Sequence, residues 1–277
     1  MKSTWFGERE RYDFARLLHD ADYSLRLDEV FRIFLETSFA ALYQPTHKLR
    51  FGDICPEEEE RYMRSIGRVK NARKIAEALG VLTLAMDRRQ YDFLGAVMQE
   101  LGVNDKNFRG QCFTPPDVSR LMAQMTMGQQ EPVPGRTLML NEPACGGGSM
   151  VIEASEVLKG WGFYPWDYCW VAQDVDWKCF AMTYIQTTLC GIPCGVVHGN
   201  TLTLEQWRSE WNMIATLHPP KQRQRDESPE EVSGEMIQMQ LDAHNQRFDK
   251  LEKMMTGGFA SIAIIVTMAI AILEFAR

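Results

Sequence analysis

A glycine run that follows an acidic residue carries the clearest chemical signal in the sequence. The apolar stretch Thr137 to Leu140 leads to Glu142, and Gly146 to Gly148 follow before a predicted helix. Glycines in such a turn let a ligand approach the main chain closely, and α/β sheets bind ligands beyond the carboxyl ends of their strands. The Gly-Lys-Ser/Thr ending of a phosphate-binding loop is missing, so a cationic or amino-acid-bearing ligand is expected beside Glu142.

A second acid, Asp174, comes at the end of the next apolar stretch, Tyr168 to Ala172. A carboxylate at that place in a doubly wound sheet usually accepts hydrogen bonds from ribose hydroxyls. The glycine turn and this acid together favour a ligand that contains a nucleoside. An α/β turn that binds no nucleotide is the alternative.

The elements that must position these residues alternate between strand and helix. A helix is expected from Pro116 to about Met127, with Thr114 as a capping hydroxyl. Apolar runs and helical stretches then follow in the order Thr137 to Leu140, Ser149 to Leu158, Tyr168 to Ala172, Trp177 to Cys190, Gly195 to His198 and Trp211 to Leu217. This alternation predicts a parallel sheet with helices on its faces.

Residues 1–109 predict a small helical domain, because apolar residues such as Phe31, Phe34 and Phe39 recur at helical spacing. A group of cations lies in this part, comprising Arg64, Arg68, Lys70, Arg73, Lys74, Arg88 and Arg89. These cations form either a solvated helix face or a contact for nucleic acid. Residues 111–217 hold only 5 Lys+Arg against 10 Asp+Glu, so they are expected to repel a phosphate backbone.

The composition is that of an ordinary globular protein of 277 residues, with 45% hydrophobic residues and a formal charge of −7. A wholly disordered or collagen-like chain is therefore excluded. The charged start of the sequence predicts no secretory signal, so the seven cysteines are expected to be reduced thiols in the cytoplasm. Cys190, Cys194 and His198 are the nearest approach to a metal pattern, but zinc sites usually need four protein ligands, and no metal is predicted.

The last part of the chain predicts three segments. Residues 221–235 are polar and read as a linker. Residues 236–256 predict a short coiled-coil-like helix, in which the apolar spacing over 237–255 favours self-association. Residues 257–275 predict an apolar helix, since Gly257 to Leu273 contains no charge. This helix is either a membrane tail anchor or a buried or oligomer-core helix, because its length is at the lower limit for a span.

Four motifs in a fixed order resemble those of the N6-adenine DNA methyltransferases. They are Gly110-Gln-Cys-Phe-Thr-Pro-Pro116, Asn141-Glu-Pro-Ala-Cys-Gly-Gly-Gly148, Ala172-Gln-Asp-Val-Asp176 and His198-Gly-Asn-Thr-Leu202. The upstream Asp92-Phe-Leu-Gly95 is also similar to a helical segment of these proteins. The sequence most resembles the modification subunit of type I restriction systems and related phage and plasmid methylases, over about residues 85–220.

The resemblance implies an incomplete Rossmann-like methyltransferase sheet over residues 110–220, with the N-terminal helical domain before it and a C-terminal helical tail after it. It implies S-adenosylmethionine as cofactor and DNA as partner, with a specificity or completing subunit as a further partner. The cofactor-binding residues would be Phe113, Thr114, Pro115, Glu142, Pro143, Ala144, Cys145, Gly146, Gly148, Asp174 and Asn200.

The fourth family motif, Asn/Asp-Pro-Pro-Phe/Tyr, is altered in this sequence. In the family it accepts hydrogen bonds from the exocyclic amine of adenine and stacks a flipped base. The matching position predicts a strand from Trp211 to Leu217 followed by His218, Pro219 and Pro220 as catalytic residues, but Lys221 cannot stack a base. Chance placement of these prolines is an alternative.

The later strands of a complete methyltransferase have no candidates in the sequence, so the sheet is expected to leave an unpaired edge. Three hypotheses follow: an adenine-N6-specific DNA methyltransferase, a catalytically degenerate relative that binds cofactor or DNA and carries a membrane-associating tail, and a membrane-anchored scaffold.

Overall fold

The computed structural model describes residues 8–102, 114–127 and 131–221. The N-terminal helices are α1 (Glu8–Ala21), α2 (Leu27–Phe51), α3 (Pro56–Ile66), α4 (Ala72–Arg88) and α5 (Phe93–Glu100). The α/β part consists of α6 (Pro116–Met127), β1 (Leu138–Glu142), α7 (Ser149–Gly160), β2 (Tyr168–Asp174), α8 (Trp177–Leu189), β3 (Cys194–Asn200), β4 (Glu205–Trp211) and α9 (Met213–Leu217).

The four strands form one sheet in the order β1-β2-β3-β4. β1, β2 and β3 are parallel, with Glu142 beside Ala172 and Asp174 beside His198. The parallel α/β sheet predicted from the sequence is confirmed. No strand among the described residues pairs with the other edge of β1, while β4 covers β3.

The predicted strand from Trp211 to Leu217 is wrong. The strand is β4, which ends at Trp211 and runs antiparallel to β3, and residues 213–217 form the helix α9. The buried Asn212 separates them, because its Oδ1 accepts from the main-chain N–H groups of Ala215 (3.0 Å) and Cys194 (3.2 Å). An asparagine that caps a helix in this way ends the preceding strand and starts a new helix.

The N-terminal helices and the sheet share one hydrophobic core, and the residues up to Lys221 form one compact unit. Phe31, Phe34 and Phe39 are fully buried, as their helical spacing predicts. The ring of Phe39 on α2 lies 4.7 Å from that of Tyr184 and 5.4 Å from that of Phe180, both on α8. The helical part therefore covers one face of the α/β part.

A buried ion pair ties β4 to the N-terminal helices. The guanidinium of Arg208 on β4 donates to Glu58 Oε1 on α3 at 2.6 Å and to Glu210 Oε1 at 3.0 Å. It also lies over the rings of Phe39 (4.8 Å) and Tyr43 (5.2 Å). The side chain of Glu58 is only 4% exposed, so its charge depends on this partner and on Arg61.

Most cations of the N-terminal group are paired with acids. The pairs are Arg64 with Glu60, Arg68 with Glu29, Lys70 with Asp22, Arg73 and Lys74 with Glu77, and Arg88 with Glu10. Several of them join residues of the same helix. This arrangement is that of a solvated, ion-paired surface rather than of a cationic groove.

Across residues 8–102, 114–127 and 131–221, none of the helices combines the length and apolar character that crossing a membrane needs. From residue 222 onward, the predicted linker, coiled-coil-like helix and apolar helix lie outside the described residues.

Candidate functional site

The glycine turn after β1 and the acid at the end of β2 are joined by hydrogen bonds. The N–H of Gly146 donates to Asp174 Oδ2 at 2.9 Å, and the N–H of Cys145 donates to the carbonyl of Gln173 at 2.9 Å. Asp174 Oδ1 accepts from the N–H of Asp176 at 2.9 Å. The turn and the acid therefore occupy one place at the carboxyl ends of the strands.

Asp174 keeps the capacity to hold a further hydrogen-bond donor. Burial raises its pKa, while the N–H groups of Asp176 and Gly146 act in the opposite direction. The N–H of Val175 also bonds to this carboxylate. The two oxygens have about four lone pairs between them and receive three main-chain N–H bonds, so acceptor capacity remains for a ligand hydroxyl. A carboxylate with this remaining capacity beside a glycine turn fits the ribose of an adenosyl group.

Two glycines of the turn have backbone angles that suit glycine. Gly146 has φ 55° and Gly148 has φ 96°, both in the left-handed region. A Cβ atom at Gly147 would collide with the carboxylate of Asp92, which packs directly against the turn. The inner side of the turn is thus closed by protein, whereas Pro143 and Ala144 are exposed on its outer side.

Two side chains of α8 hold the carbonyls of the turn. Thr183 Oγ1 donates to the carbonyl of Gly146 at 3.0 Å, and Gln186 Nε2 donates to that of Gly147 at 2.6 Å. Sequence reasoning missed both residues. The sequence signal that could have identified them is that two polar residues lie three positions apart on a helix predicted to be buried, where polar side chains need hydrogen-bond partners.

The network continues to α5 through the same carboxamide. Gln186 Nε2 also donates to Asp92 Oδ1 at 2.9 Å, and Gln186 Oε1 accepts from the N–H of Leu94 at 3.0 Å. Asp92 caps α5 by accepting from the N–H of Gly95 at 2.8 Å, and burial raises the pKa of its carboxyl. The segment Asp92 to Gly95 noted in the sequence therefore lies behind the glycine turn.

The predicted residues of the other motifs meet at the same end of the sheet. The carbonyl of Thr114 accepts from Ser149 Oγ at 3.1 Å, which places the Thr114-Pro115 segment at the start of α7. Thr201 Oγ1 donates to the carbonyl of Pro143 at 2.6 Å, and the preceding Asn200 ends β3. Phe113 lies outside the described residues.

Three predicted residues use their side chains within the protein. Glu142 Oε1 accepts from the N–H of Ala144 at 3.2 Å, and Asn200 Oδ1 accepts from the N–H of Leu202 at 3.0 Å. The thiol of Cys145 is buried, which raises its pKa, and it accepts from Thr183 at 3.4 Å. Cys145 therefore packs the turn from behind, while Glu142 and Asn200 keep acceptor or donor groups for a ligand.

The structure does not bring His218, Pro219 and Pro220 to this site. The His218 ring lies 5.7 Å from that of Trp166, and the N–H of Lys221 donates to Thr137 Oγ1 at 3.1 Å. Thr137 directly precedes β1 and Trp166 lies two residues before β2, so these contacts lie at the amino ends of the strands. Roughly 13 Å of β1, at about 3.3 Å per residue, separates the two ends. The antiparallel β4 causes this, because it carries the chain back from the carboxyl ends.

Within the described part of the chain, no three His, Cys, Asp or Glu side chains are grouped so that they could hold a metal ion. The thiol of Cys194 is buried at the start of β3, whereas His198 lies towards its other end and contacts the carbonyl of Val175 at 3.2 Å.

A parallel strand, a glycine turn, a helix and an acid at the end of the next strand form an arrangement with which α/β proteins bind nucleosides. Comparison with protein families identifies the particular family. Residues 89–234 match the family described as N-6 DNA methylase. The match covers more than half of the chain, and the chain belongs to this family.

Two solved structures are similar to the chain at low identity. One is a protein described as a class I S-adenosylmethionine-dependent methyltransferase from Listeria monocytogenes, with 13% identity, a TM-score of 0.36, and coverage of 70% of this chain and 54% of that chain. The other is the type I restriction-modification system methyltransferase subunit from Streptococcus thermophilus, with 15% identity, a TM-score of 0.35, and coverage of 72% and 59%.

The chain thus spans between 54% and 59% of the length of these two proteins. Comparison with curated proteins finds no match.

Proposed function

We propose that the chain binds S-adenosylmethionine at the carboxyl ends of β1 and β2 and acts as an adenine-N6-specific DNA methyltransferase. The observation that carries this proposal is the hydrogen bond between the Gly146 N–H and Asp174, at 2.9 Å, within the segment that matches the family. When bound, S-adenosylmethionine supplies a methyl group on a sulfonium that a nucleophile can accept.

The chain's own residues would hold and orient this cofactor. Asp174 would accept hydrogen bonds from the ribose hydroxyls, and the carboxylate of Glu142 would favour the ammonium of the methionine part. Thr114 and Pro115 would line the methionine end, and Asn200 would approach the adenine ring. The buried supports from Thr183 and Gln186 would keep the glycine turn in place for this purpose.

DNA is the proposed substrate, and a second subunit is a proposed partner. No strand of the described residues pairs with the second edge of β1. This supports the partner, because a parallel edge strand exposes main-chain donors and acceptors that another strand can satisfy. Met139 on this strand is 50% exposed, so a completing subunit would also cover apolar surface there.

A second candidate function is a relative that binds cofactor or DNA without transferring a methyl group. The position of His218, Pro219 and Pro220 favours it, since these residues lie at the amino ends of the strands. Their catalytic role stays a prediction from the sequence.

Calorimetry with S-adenosylmethionine tests the cofactor site. Asp174→Ala removes the ribose acceptor, and Gly146→Val forces a β-branched side chain into a left-handed backbone conformation. Both are expected to reduce affinity at least tenfold. Glu60→Ala is the matched control, because Glu60 is an exposed acid on α3 with 77% side-chain exposure. No binding by the folded wild-type chain would refute the methyltransferase and the cofactor-binding form of the second candidate.

Transfer of a tritiated methyl group to unmethylated duplex DNA, followed by nucleoside analysis, separates the two candidates. Label in N6-methyladenine supports the methyltransferase, whereas cofactor binding without label supports the second candidate. From the geometry we expect His218→Ala to retain transfer. Loss of transfer with unchanged cofactor affinity would restore the catalytic prediction for His218.

A further inference from the structure

A pocket lies at the amino ends of β1 and β2, away from the candidate cofactor site. Its volume is about 400 Å³, and its lining includes Arg136, Tyr164, Trp166, Asp167 and Lys221. Lys221 directly follows the His-Pro-Pro sequence that the cofactor site does not use. The residue next to the His-Pro-Pro sequence therefore lines this pocket rather than the candidate cofactor site.

Two exposed aromatic rings stack on one another in this pocket, and the outer face of the pair forms a platform. The rings of Tyr164 and Trp166 are 4.8 Å apart and inclined by only 9°. Their side chains are 57% and 48% exposed, so they do not serve as ordinary core residues. Exposed, parallel aromatic faces are suited to stacking on the bases of single-stranded nucleic acid.

A tight turn holds the platform in place. The N–H of Tyr164 donates to Asp167 Oδ2 at 2.8 Å, and the N–H of Asp167 donates to the carbonyl of Tyr164 at 2.9 Å. The carbonyl of Asp167 in turn accepts from the N–H of Leu138 on β1 at 2.8 Å. The carboxylate of Asp167 is thus engaged by the turn, and the platform is fixed to the sheet.

Cations gather at this end of an otherwise acidic segment. Arg136 and Lys221 are exposed in the pocket. Lys159 lines a neighbouring pocket that shares Tyr164 and Gly162 with this one, but it is paired there with Glu156 at 3.4 Å. Arg208 is used in a buried ion pair. Arg136 and Lys221 are therefore the cations that can attract phosphate at this end of the acidic segment.

We propose that this pocket binds single-stranded nucleic acid, with a base stacked on the outer face of the Tyr164–Trp166 pair and phosphates beside Arg136 and Lys221. A base and its phosphate require both an aromatic face and a cation, and the pocket supplies both. A proline-rich peptide would use the aromatic face but not the cations. The proposal goes beyond the proposed function, because it concerns a site at the opposite end of the sheet.

Fluorescence anisotropy of a short labelled oligothymidine, titrated with the full chain, tests the proposal. Trp166→Ala is expected to weaken binding roughly 5- to 150-fold through the loss of stacking. The matched control is Trp207→Ala, because Trp207 is 53% exposed but lies on β4, and it should leave affinity unchanged. Circular dichroism checks that each variant is folded.

The cations have a separate signature in the salt dependence. Arg136→Ala combined with Lys221→Ala is expected to reduce the slope of log affinity against log salt by about 1.4, since each phosphate contact to a single strand contributes about 0.7. The control removes Arg64, which is 72% exposed on α3, and should leave the slope unchanged.

The outcomes are separable from those of the proposed function. Asp174→Ala is expected to weaken cofactor binding at least tenfold while oligothymidine affinity is retained. The proposal is overturned if wild type does not bind, if the pocket variants bind as wild type does, or if the Trp207 control weakens binding equally. Binding of a labelled proline-rich peptide by a chain that fails to bind oligothymidine would instead identify a peptide site. Binding of thymidine monophosphate with an affinity equal to that of oligothymidine would show that the site holds one nucleotide. That result would overturn the proposal that it binds a nucleic-acid strand.

Discussion

One carboxamide links three separate parts of the sequence. Gln186 on α8 bonds to the carbonyl of Gly147 in the glycine turn, to the carboxylate of Asp92, and to the N–H of Leu94 on α5. A fully buried glutamine is tolerated only when its donors and acceptor are satisfied, as they are here. The position of the turn therefore depends on a residue that does not belong to the turn.

Gln186→Leu is expected to destabilise the protein and to weaken binding of S-adenosylmethionine. The substitution keeps a similar volume but leaves buried polar groups of Gly147, Asp92 and Leu94 without this partner, and each such group costs about 1–3 kcal/mol. Urea unfolding and calorimetry measure the two effects. Thr126→Val on the exposed face of α6 is the control, because it removes only a local bond to the carbonyl of Met122. Unchanged cofactor affinity in a folded Gln186→Leu variant would contradict a positioning role.

At the scale of elements, β4 determines where the end of the described chain lies. The strand runs antiparallel to β3, and Arg208 on it reaches the buried Glu58 of α3. This ion pair connects β4 to the N-terminal helices, together with the contacts of the Arg208 guanidinium with the rings of Phe39 and Tyr43 on α2. β4 is thereby held by its contacts with the N-terminal helices on one side and by its main-chain hydrogen bonds to β3 on the other.

Arg208→Ala is expected to lower the free energy of unfolding by up to about 3–5 kcal/mol, because it leaves the buried carboxylate of Glu58 with only the partly exposed Arg61 as partner. Arg64→Ala, which breaks an exposed pair with Glu60, is expected to cost less than about 1 kcal/mol. Chemical denaturation of both variants provides the comparison. Similar small losses in the two variants would show that the carboxylate of Glu58 is compensated elsewhere.

The sequence predicted those elements whose patterns are local. The strand-turn-helix at Glu142 to Ser149 and the acid Asp174 could be placed because strand ends and glycine turns are adjacent in sequence. The short apolar run at residues 213–217 could not, since periodicity alone does not distinguish a buried strand from a buried helix. The deciding contacts of Asn212 with Cys194 and Ile192 are made across the fold.

The same limit applies to the candidate site. Motif order located Asp174 and the glycine turn, which the structure joins by a hydrogen bond. It did not locate Gln186 or Thr183, whose partners are about forty residues away in sequence. It also did not show that His218 lies at the amino ends of the strands, because strand direction is set by pairing with β3.

At the scale of the whole molecule, the helical and α/β parts depend on one another. The rings of Phe180 and Tyr184 on α8 pack against Phe39 of α2, and Asp92 lies behind the glycine turn. The boundary predicted after residue 109 therefore separates two sequence patterns that share one core. Each part presents apolar surface that the other covers.

A polypeptide of residues 110–221 alone is expected not to reach a cooperatively folded state, because the face of α8 that Phe39 covers would be exposed to water. Near-ultraviolet circular dichroism and binding of a hydrophobic dye, compared with the full chain, measure this. A sharp unfolding transition for the isolated polypeptide would show that the α/β part folds independently.

The bond between the Leu94 N–H and Gln186 has a consequence for how ligand binding can be observed. A main-chain amide exchanges its hydrogen with water only when its bond opens, so the rate at Leu94 reports how often the support behind the glycine turn comes apart. A ligand that immobilises the turn should slow this exchange in a helix that it does not touch. The exchange rate of an amide in the N-terminal helices would then report ligand binding at the carboxyl ends of the strands.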